Sequence, residues 1–214
     1  MIHPNIGHHA VLHHDRLRYH ARNAADALQE NVKTTYNRVT VDGDTSTNDM
    51  CIVLANGMAG NTLIEWQDEE YQAFCKALNE VNTRLARQIA ADGEGATKLA
   101  TCTVKNSRSE EAAERLAKAV VGSNLVKAAM FGADANWGRV LCAMGYSKAP
   151  FRPEYVSVAF ESAAGSVAVC DKGAALDFDE ELAKKVLSES EVTIAVDVNE
   201  GEDSATAWGC DLTY

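Results

Sequence analysis

The stretch from residue 36 to residue 60 constrains the fold more than any other part of the chain. Residues 39–41 alternate between apolar and polar side chains, which predicts a short half-buried strand. Residues 42–44, Asp-Gly-Asp, predict a tight turn, because glycine adopts the backbone angles that such turns need. The continuous apolar run at 50–55 predicts a buried strand. Two strands on either side of a polar turn would hold its hydroxyl and carboxyl groups in fixed positions.

Helical and strand patterns alternate along the rest of the chain. Residues 67–91 form the clearest amphipathic helix, with acidic residues in the first turn. Its predicted apolar face consists of Tyr71, Phe74, Leu78, Val81, Leu85 and Ile89. Further helices are predicted at 107–121, 125–130, 140–144 and 177–187, and strands at 98–104, 155–160, 166–170, 191–198 and 205–214. The predicted fold class is therefore α/β, with mixed sheets sandwiched by helices.

Composition excludes several functional classes. The 214-residue chain carries a formal net charge of −11 at pH 7, so we expect no nucleic-acid partner, because that affinity depends on neutralising phosphates. No apolar run approaches the ~20 residues of a membrane span, and no secretory signal pattern opens the chain. We therefore expect no membrane partner and a cytoplasmic location. The six cysteines lie singly, without a CxxC pair, which favours reduced and mostly buried thiols.

The segment from residue 7 to residue 26 has a different character, because five of the six histidines lie there. It matches neither the helical nor the strand template. His8, His9, His13 and His14 have spacings that could converge on a zinc ion. The segment has no carboxylate or cysteine set to complete such a site, so we predict no metal site. A His-rich metal-binding arm stays open as an alternative.

Two glycine-containing loops are candidate binding elements. Residues 92–98, DGEGATK, place the carboxylate of Glu94 between two glycines, where the backbone can approach a ligand closely. The alternative is a helix stop followed by a turn, which glycines make without any function. In the loop at 131–139, the side chains of Asp134, Asn136 and Arg139 could contact a ligand or fasten a buried loop. We favour the structural role.

Three motifs occur in a fixed order: VDGDTSTND at 41–49, DGEGATK at 92–98 and GADANWGR at 132–139. With them the chain resembles the ornithine acetyltransferase family, the glutamate N-acetyltransferases of the cyclic arginine pathway. The resemblance runs from residue 27 to residue 214 and covers only the family's C-terminal, or β, half. It implies a self-processing fold of the N-terminal-nucleophile acetyltransferase type, DmpA/ornithine acetyltransferase-like.

The resemblance also implies a reaction. The family precursor cleaves itself before a threonine, whose freed amine then serves as the base for its own hydroxyl. That threonine takes the acetyl group from N-acetylornithine and passes it to glutamate, and some members also use acetyl-CoA. No cofactor is implied. The expected partner is the family's α chain in an α/β hetero-oligomer. Glu94 matches the family's substrate-binding carboxylate, which suits an ammonium group on the substrate.

The chain departs from the family at its N-terminal segment. Residues 1–5, MIHPN, match the cleavage motif, but Ile6, Gly7 and His8 stand where the family has Met-Ala-Thr. His8 therefore occupies the nucleophile position, and no catalytic residue is assigned. A family-like codon series read in a shifted frame reproduces residues 7–16 of this chain. We accordingly interpret segment 1–26 as an aberrant His-rich segment that contains an out-of-frame stretch between about residue 6 and residue 26.

Two other departures concern the extent of the chain. The family's α half is missing, and its last two substrate contacts would fall beyond Tyr214. The domain at 27–214 is therefore expected to be a β-chain domain truncated at its C terminus. The prediction is an acetyltransferase fragment that is inactive as written. The alternative is a non-catalytic protein that binds an amino acid at Glu94.

Overall fold

The computed structural model describes residues 11–212, with side chains from Asp15 onward. The helices and strands are, in chain order, β1 (Val11–Asp15), α1 (Ala21–Thr34), β2 (Cys51–Ala55), α2 (Glu69–Ala91), β3 (Leu99–Ser107), α3 (Glu110–Val121), α4 (Asn124–Phe131), α5 (Trp137–Tyr146), β4 (Ser157–Ser162), β5 (Gly165–Asp171), β6 (Ala174–Ala175), α6 (Glu180–Leu187), β7 (Glu191–Asp197) and β8 (Asp203–Cys210). Short 3-10 turns occupy Tyr36–Arg38 and Pro153–Tyr155. In these ranges, no helix combines the length and apolar character that crossing a bilayer requires.

Six of the strands form one mixed sheet in the order β6-β5-β4-β7-β3-β8. The central strand β3 pairs in parallel with β7 and antiparallel with β8, while β4 pairs antiparallel with both β5 and β7. Strands β1 and β2 form a separate two-stranded parallel sheet. The predicted α/β class with mixed sheets is therefore confirmed.

Helices cover the six-stranded sheet on both faces near β3 and β8. The alternate residues Ala100 and Val104 of β3 share a buried cluster with Leu116 of α3. Leu99, which points to the opposite face, shares a second cluster with Ala90 of α2. The strand alternation that the sequence shows thus reflects two separate packing interactions, one with each helix.

The buried face of α2 differs from the prediction in its second half. Tyr71, Phe74 and Leu78 are buried as predicted, but Val81 is 45% exposed. The buried stripe continues instead through Asn82, Ala86 and Ala90, at four-residue steps. The small side chains of the alanines allow α2 to lie close to the sheet and to the 3-10 turn at Tyr36–Arg38. Within that contact, Asn82 Oδ1 accepts a 3.1 Å hydrogen bond from the Tyr36 hydroxyl.

Two predictions around the first motif need correction. Residues 39–41 are buried but do not form a strand, since Val39 makes a single parallel bridge to Trp208 after the 3-10 turn. Strand β2 lies at the predicted place but is not buried, because Leu54 is 46% exposed. In the described part of the chain, nothing covers that face of β2. The apolar run indicated a strand correctly but could not indicate which surface covers it.

The segment at 7–26 also differs from its interpretation. It was expected to match neither template, yet it contains strand β1 and the first turns of α1. Helix α1 begins at Ala21, where the His20 ring accepts a hydrogen bond from the Arg22 amide. Regular structure therefore crosses the proposed boundary at residue 27 without a break.

Candidate active site

The loop at 92–98 joins α2 to β3 and lies directly against the first motif. A Cβ on Gly93 would lie 2.8 Å from Cγ1 of Val41 and 3.0 Å from Sγ of Cys210, so only glycine permits this approach. Gly95 has a φ of +72°, in the left-handed region that glycine favours. The two glycines around Glu94 therefore have different structural roles: Gly93 packs against the core, and Gly95 allows the chain to turn.

Glu94 itself is exposed at the surface of this loop. None of the hydrogen bonds or ion pairs within the described residues involves its carboxylate. An exposed carboxylate with no protein partner is able to bind a cationic group through charge-assisted hydrogen bonds. The loop thus presents a negative charge to solvent, while hydrogen bonds and packing on its other side fix its backbone.

Asp211 holds that backbone. Its Oδ1 accepts hydrogen bonds from the Thr97 and Lys98 amides at 2.8 and 3.0 Å, and its Oδ2 accepts one from the Thr97 hydroxyl at 2.5 Å. The side chain is buried, with 3% exposure. The sequence predictions did not single out Asp211, whose only signal is an acidic residue at the end of an otherwise apolar strand.

Lys98 connects this loop to two helices. Its buried Nζ donates 2.7 Å hydrogen bonds to the carbonyls of Met130, near the end of α4, and of Leu187, at the end of α6. Helix C-termini have unpaired carbonyls and a partial negative charge. An ammonium group supplies both a hydrogen-bond donor for the carbonyls and a positive charge that opposes the negative one. Burial lowers the pKa of Lys98, and the nearby Asp211 carboxylate opposes that shift.

A second buried lysine fastens the first motif to α4. Lys127 is 4% exposed, and its Nζ donates to the Val41 carbonyl. Burial raises the pKa of the Cys210 thiol, and the Lys127 ammonium beside it acts in the opposite direction. Lys98 and Lys127 thus fasten the second and the first motif, respectively, to α4, the helix that directly precedes the third motif.

The third motif makes local structural contacts. Asn136 is the N-cap of α5, because its Oδ1 accepts a 3.2 Å hydrogen bond from the Arg139 amide. Its Nδ2 donates to Asp134 at 3.0 Å, and Arg139 Nη1 donates to the Leu125 carbonyl at 2.9 Å. These bonds agree with the predicted structural role for all three side chains.

The remaining site predictions concern the histidine segment. His8 and His9 lie outside the described residues, and of His13 and His14 only the backbone is described. Elsewhere in the described part, no group of three or more His, Cys, Asp or Glu side chains could hold a metal ion. The structure therefore leaves the role of the nucleophile position His8 as a prediction.

The fold and site define an α/β protein in which a glycine-containing loop, held by the buried side chains of Lys98 and Asp211, presents one carboxylate. Comparison with known proteins identifies the family. A sequence model of the ArgJ family matches residues 1–214, and the chain belongs to that family. This confirms the resemblance inferred from the three motifs.

Individual relatives support the assignment. The chain is 53% identical over 188 residues to the arginine biosynthesis bifunctional protein ArgJ 1 of Clostridium acetobutylicum, a match that covers 88% of this chain and 46% of the relative. It is 49% identical over 187 residues to the glutamate N-acetyltransferase of Methanopyrus kandleri, covering 87% and 48%. The chain thus spans about half the length of the curated relatives it matches.

A solved structure matches over nearly its whole length. The crystal structure of the arginine biosynthesis bifunctional protein ArgJ from Bacillus halodurans superposes with a TM-score of 0.90 and 39% sequence identity. The match covers 96% of this chain and 95% of that chain.

Proposed function

We propose that this chain is the β half of a glutamate N-acetyltransferase, with a substrate carboxylate at Glu94 and no nucleophile as written. In the proposed reaction, the acetyl group passes from N-acetylornithine to glutamate through a threonine freed by self-cleavage. The observation that carries the proposal is the exposed carboxylate of Glu94 on a loop fixed by Gly93 and Asp211. Both substrates carry an ammonium group, which a carboxylate binds well.

The inactivity follows from the residue at position 8. An N-terminal nucleophile needs a hydroxyl or thiol next to a freed α-amine, whose pKa of about 7.7–8.0 lets it act as a base at neutral pH. His8 has neither a hydroxyl nor a free α-amine in this chain. Acyl transfer by the family mechanism is therefore not available to the chain as written.

The lengths of the relatives support a two-chain protein. Curated relatives are about twice as long as this chain, whereas the solved chain is matched almost completely. A precursor cut near the family cleavage motif would give two such chains. The partner that we propose is accordingly the α half of the same family, in an α/β hetero-oligomer.

The frameshift interpretation of segment 1–26 also remains a proposal. The family match begins at residue 1, so the unusual residues stand at positions that belong to the family. Two compensating frameshifts would leave the length of the segment unchanged in this way. Sequencing the coding DNA through codons 1–26 and upstream tests it: a corrected frame that restores Ala-Thr at Gly7-His8 would support it, and an unchanged frame would reject it.

The activity is tested with two fusions. In both, the N-terminal half of the C. acetobutylicum relative is joined in front of residue 1. In the restored fusion, residues 6–26 are replaced by the corresponding residues of that relative, and in the other they are left as written. We expect the restored fusion to cleave itself and to transfer acetyl from N-acetylornithine to glutamate, and the unrestored fusion to do neither.

Glu94→Gln in the restored fusion then tests the carboxylate. Self-cleavage should be unchanged, while the KM for the amino-acid substrates should rise at least tenfold. An unchanged KM would remove Glu94 from the substrate site. Acetyl transfer by the chain alone, or by the unrestored fusion, would overturn the proposed inactivity.

The same exposed carboxylate favours a second function, amino-acid binding without catalysis. Calorimetric titration of glutamate and N-acetylornithine into the chain as written measures it directly. Binding that Glu94→Gln abolishes would support this function, and absence of heat with either compound would exclude it at the concentrations tested.

A further inference from the structure

The two-stranded sheet of β1 and β2 is unusual for a complete fold. Its strands pair in parallel, from Val11 with Cys51 to Asp15 with Ala55. Parallel sheets occur almost only where both faces are covered, and two strands alone are marginally stable at best. In the described residues, each of these strands pairs only with the other. The sheet therefore has the properties of a fragment of a larger sheet.

Residues 11–212 cover one face of this sheet and leave the other exposed. Val53 packs against the cluster formed by α1 and α2, which includes Ala27 and Phe74. The alternate residues of β2 point away from that cluster, and Ile52 and Leu54 are 37% and 46% exposed. Large aliphatic side chains on a regular strand are normally buried, so the exposed face lacks its cover.

The apolar surface continues beyond the strands. Backbone hydrogen bonds join the Ala59 amide to the Arg16 carbonyl at 2.7 Å and the Ile64 amide to the Arg18 carbonyl at 3.0 Å, so residues 56–64 remain alongside the extension of β1. Ile64 is buried, whereas its neighbour Leu63 is 38% exposed. The exposed side chains that alternate with the covered Val53 and Ile64 are Met50, Ile52, Leu54 and Leu63, and together they are here called the ribbon face.

We propose that the ribbon face is the surface on which the other half of the protein docks, and that strands of that half extend the β1–β2 sheet. This inference rests on the proposed function as far as the identity of the partner is concerned. Several large apolar side chains exposed on one side of a sheet are typical of a protein interface. The curated relatives contain about as much additional chain as is present here, which could supply a cover.

The position of β1 favours the missing half over a second copy of this chain. The residues that match the cleavage motif, 1–5, lie shortly before β1 begins at Val11. In an uncut precursor the missing half would run directly into β1. Consecutive elements usually lie next to each other in space, and covalent connection gives a high effective concentration at this edge.

Cysteine labelling tests the proposal. Leu54→Cys and the control Tyr146→Cys are made in a Cys142→Ser background, in the chain alone and in the restored fusion. Tyr146 is 80% exposed on α5, away from the ribbon face, and Cys142 is the exposed native thiol. The chain alone is labelled at a concentration where light scattering gives a monomer.

We expect Leu54→Cys to react at least tenfold more slowly in the fusion than in the chain alone, and Tyr146→Cys to react equally in both. Equal rates for Leu54→Cys would overturn the proposal. In a second labelling of the chain alone at higher concentration, protection of Leu54→Cys that is lost on dilution to the monomer would assign the face to a second copy and overturn the proposed partner. Amide hydrogen exchange of residues 51–55 in the unsubstituted proteins gives the same comparison without a substitution.

The readouts separate this inference from the proposed function. Protection of the ribbon face without acetyl transfer would support the docking surface and count against the activity. Acetyl transfer with an unprotected ribbon face would support the activity and count against the docking surface. The two results are independent because neither labelling nor hydrogen exchange depends on turnover.

Discussion

The buried lysine at the start of β3 gives the sharpest test of how the site is held together. Lys98→Met keeps most of the aliphatic stem and removes the ammonium group. The substitution breaks the 2.7 Å hydrogen bonds to the carbonyls of Met130 and Leu187. Both bonds are buried at helix ends; the Met130 carbonyl keeps the Ala133 amide as a donor at 3.2 Å, whereas the Leu187 carbonyl loses its ammonium donor at a helix end that offers no intrahelical replacement. The loop that carries Glu94 would then lose its connection to α4 and α6.

The expected loss follows from two opposing contributions. Hydrogen bonds to charged groups contribute about 1.5–3 kcal/mol each, so two of them suggest a loss of about 3–6 kcal/mol. Removing the ammonium also removes the cost of burying it, which the lowered pKa of Lys98 shows to be present. We expect the free energy of unfolding to fall by about 2–4 kcal/mol overall.

The assay is urea denaturation followed by tryptophan fluorescence and circular dichroism. Lys105→Met is the matched control, because Lys105 lies on the same strand and is exposed. We expect the control to change stability by less than about 0.5 kcal/mol. Hydrogen exchange should show the last turns of α4 and α6 opening more readily in Lys98→Met. Equal stability of Lys98→Met and the original chain would refute the reasoning.

The same lysine predicts a pH dependence. The pKa of Lys98 in the folded chain is lowered below the ordinary value of 10.5. At a pH between the folded-state pKa and 10.5, the unfolded chain therefore binds more protons than the folded chain. The free energy of unfolding contributed by Lys98 therefore rises with pH in that range. Lys98→Met lacks this contribution, and the stability difference between the two proteins should widen as pH rises toward 10.5. A difference that narrows would contradict the assignment.

Three further predictions concern single positions. Gly93→Ala should destabilise the chain by about 1–3 kcal/mol through overpacking, whereas Gly145→Ala, with nothing within 4 Å of the added Cβ, should not, as thermal denaturation will show. Asn136→Ala removes the N-cap of α5 and should cost about 0.5–2 kcal/mol in the same assay. Burial raises the pKa of the Cys51 thiol to about 11. The stability that the protonated thiol contributes is therefore present below pH 9 and is lost as the pH rises toward 11. At pH 8, a thiol reagent should modify the exposed Cys142 well before Cys51. Mass spectrometry of the labelled chain checks the order, and equal rates would contradict it.

Local patterns predicted the regular elements well. The alternation at 191–198 and the helical spacing at 67–91 both appear as predicted, in β7 and α2. Each depends on a side-chain period that is set by the backbone geometry of the element itself. In the second half of α2, Val81 is exposed against the prediction, whereas Leu85 and Ile89 pack against the second cluster as predicted. The fully buried residues there are Asn82, Ala86 and Ala90, which hydrophobicity alone does not favour.

Long-range contacts could not be predicted in the same way. Lys127 reaches Val41 across 86 residues, and Asp211 reaches Thr97 across 114 residues. Neither pair has a local pattern, since each depends on which strands and helices become neighbours. The exposure of Leu54 is a similar case, because an apolar strand has the same sequence pattern whether this chain or another protein covers it. Glu94 could be singled out because glycines flank it and because it matches the substrate-binding carboxylate of the family that the chain resembles.

The contacts of the three motifs bear on what sequence similarity can say about activity in this family. Lys98, Asn136 and Gly93 belong to the motifs that identify the chain, yet their contacts are with buried carbonyls, a helix start and core side chains. Loss of any of them would destabilise the fold even in a protein that catalyses nothing. A chain that has lost its nucleophile at position 8 would therefore still be selected to keep these residues, as long as it must fold. High identity across 188 residues is consequently strong support for the fold, whereas the proposed activity would depend on the residue at position 8 and on the proposed partner half.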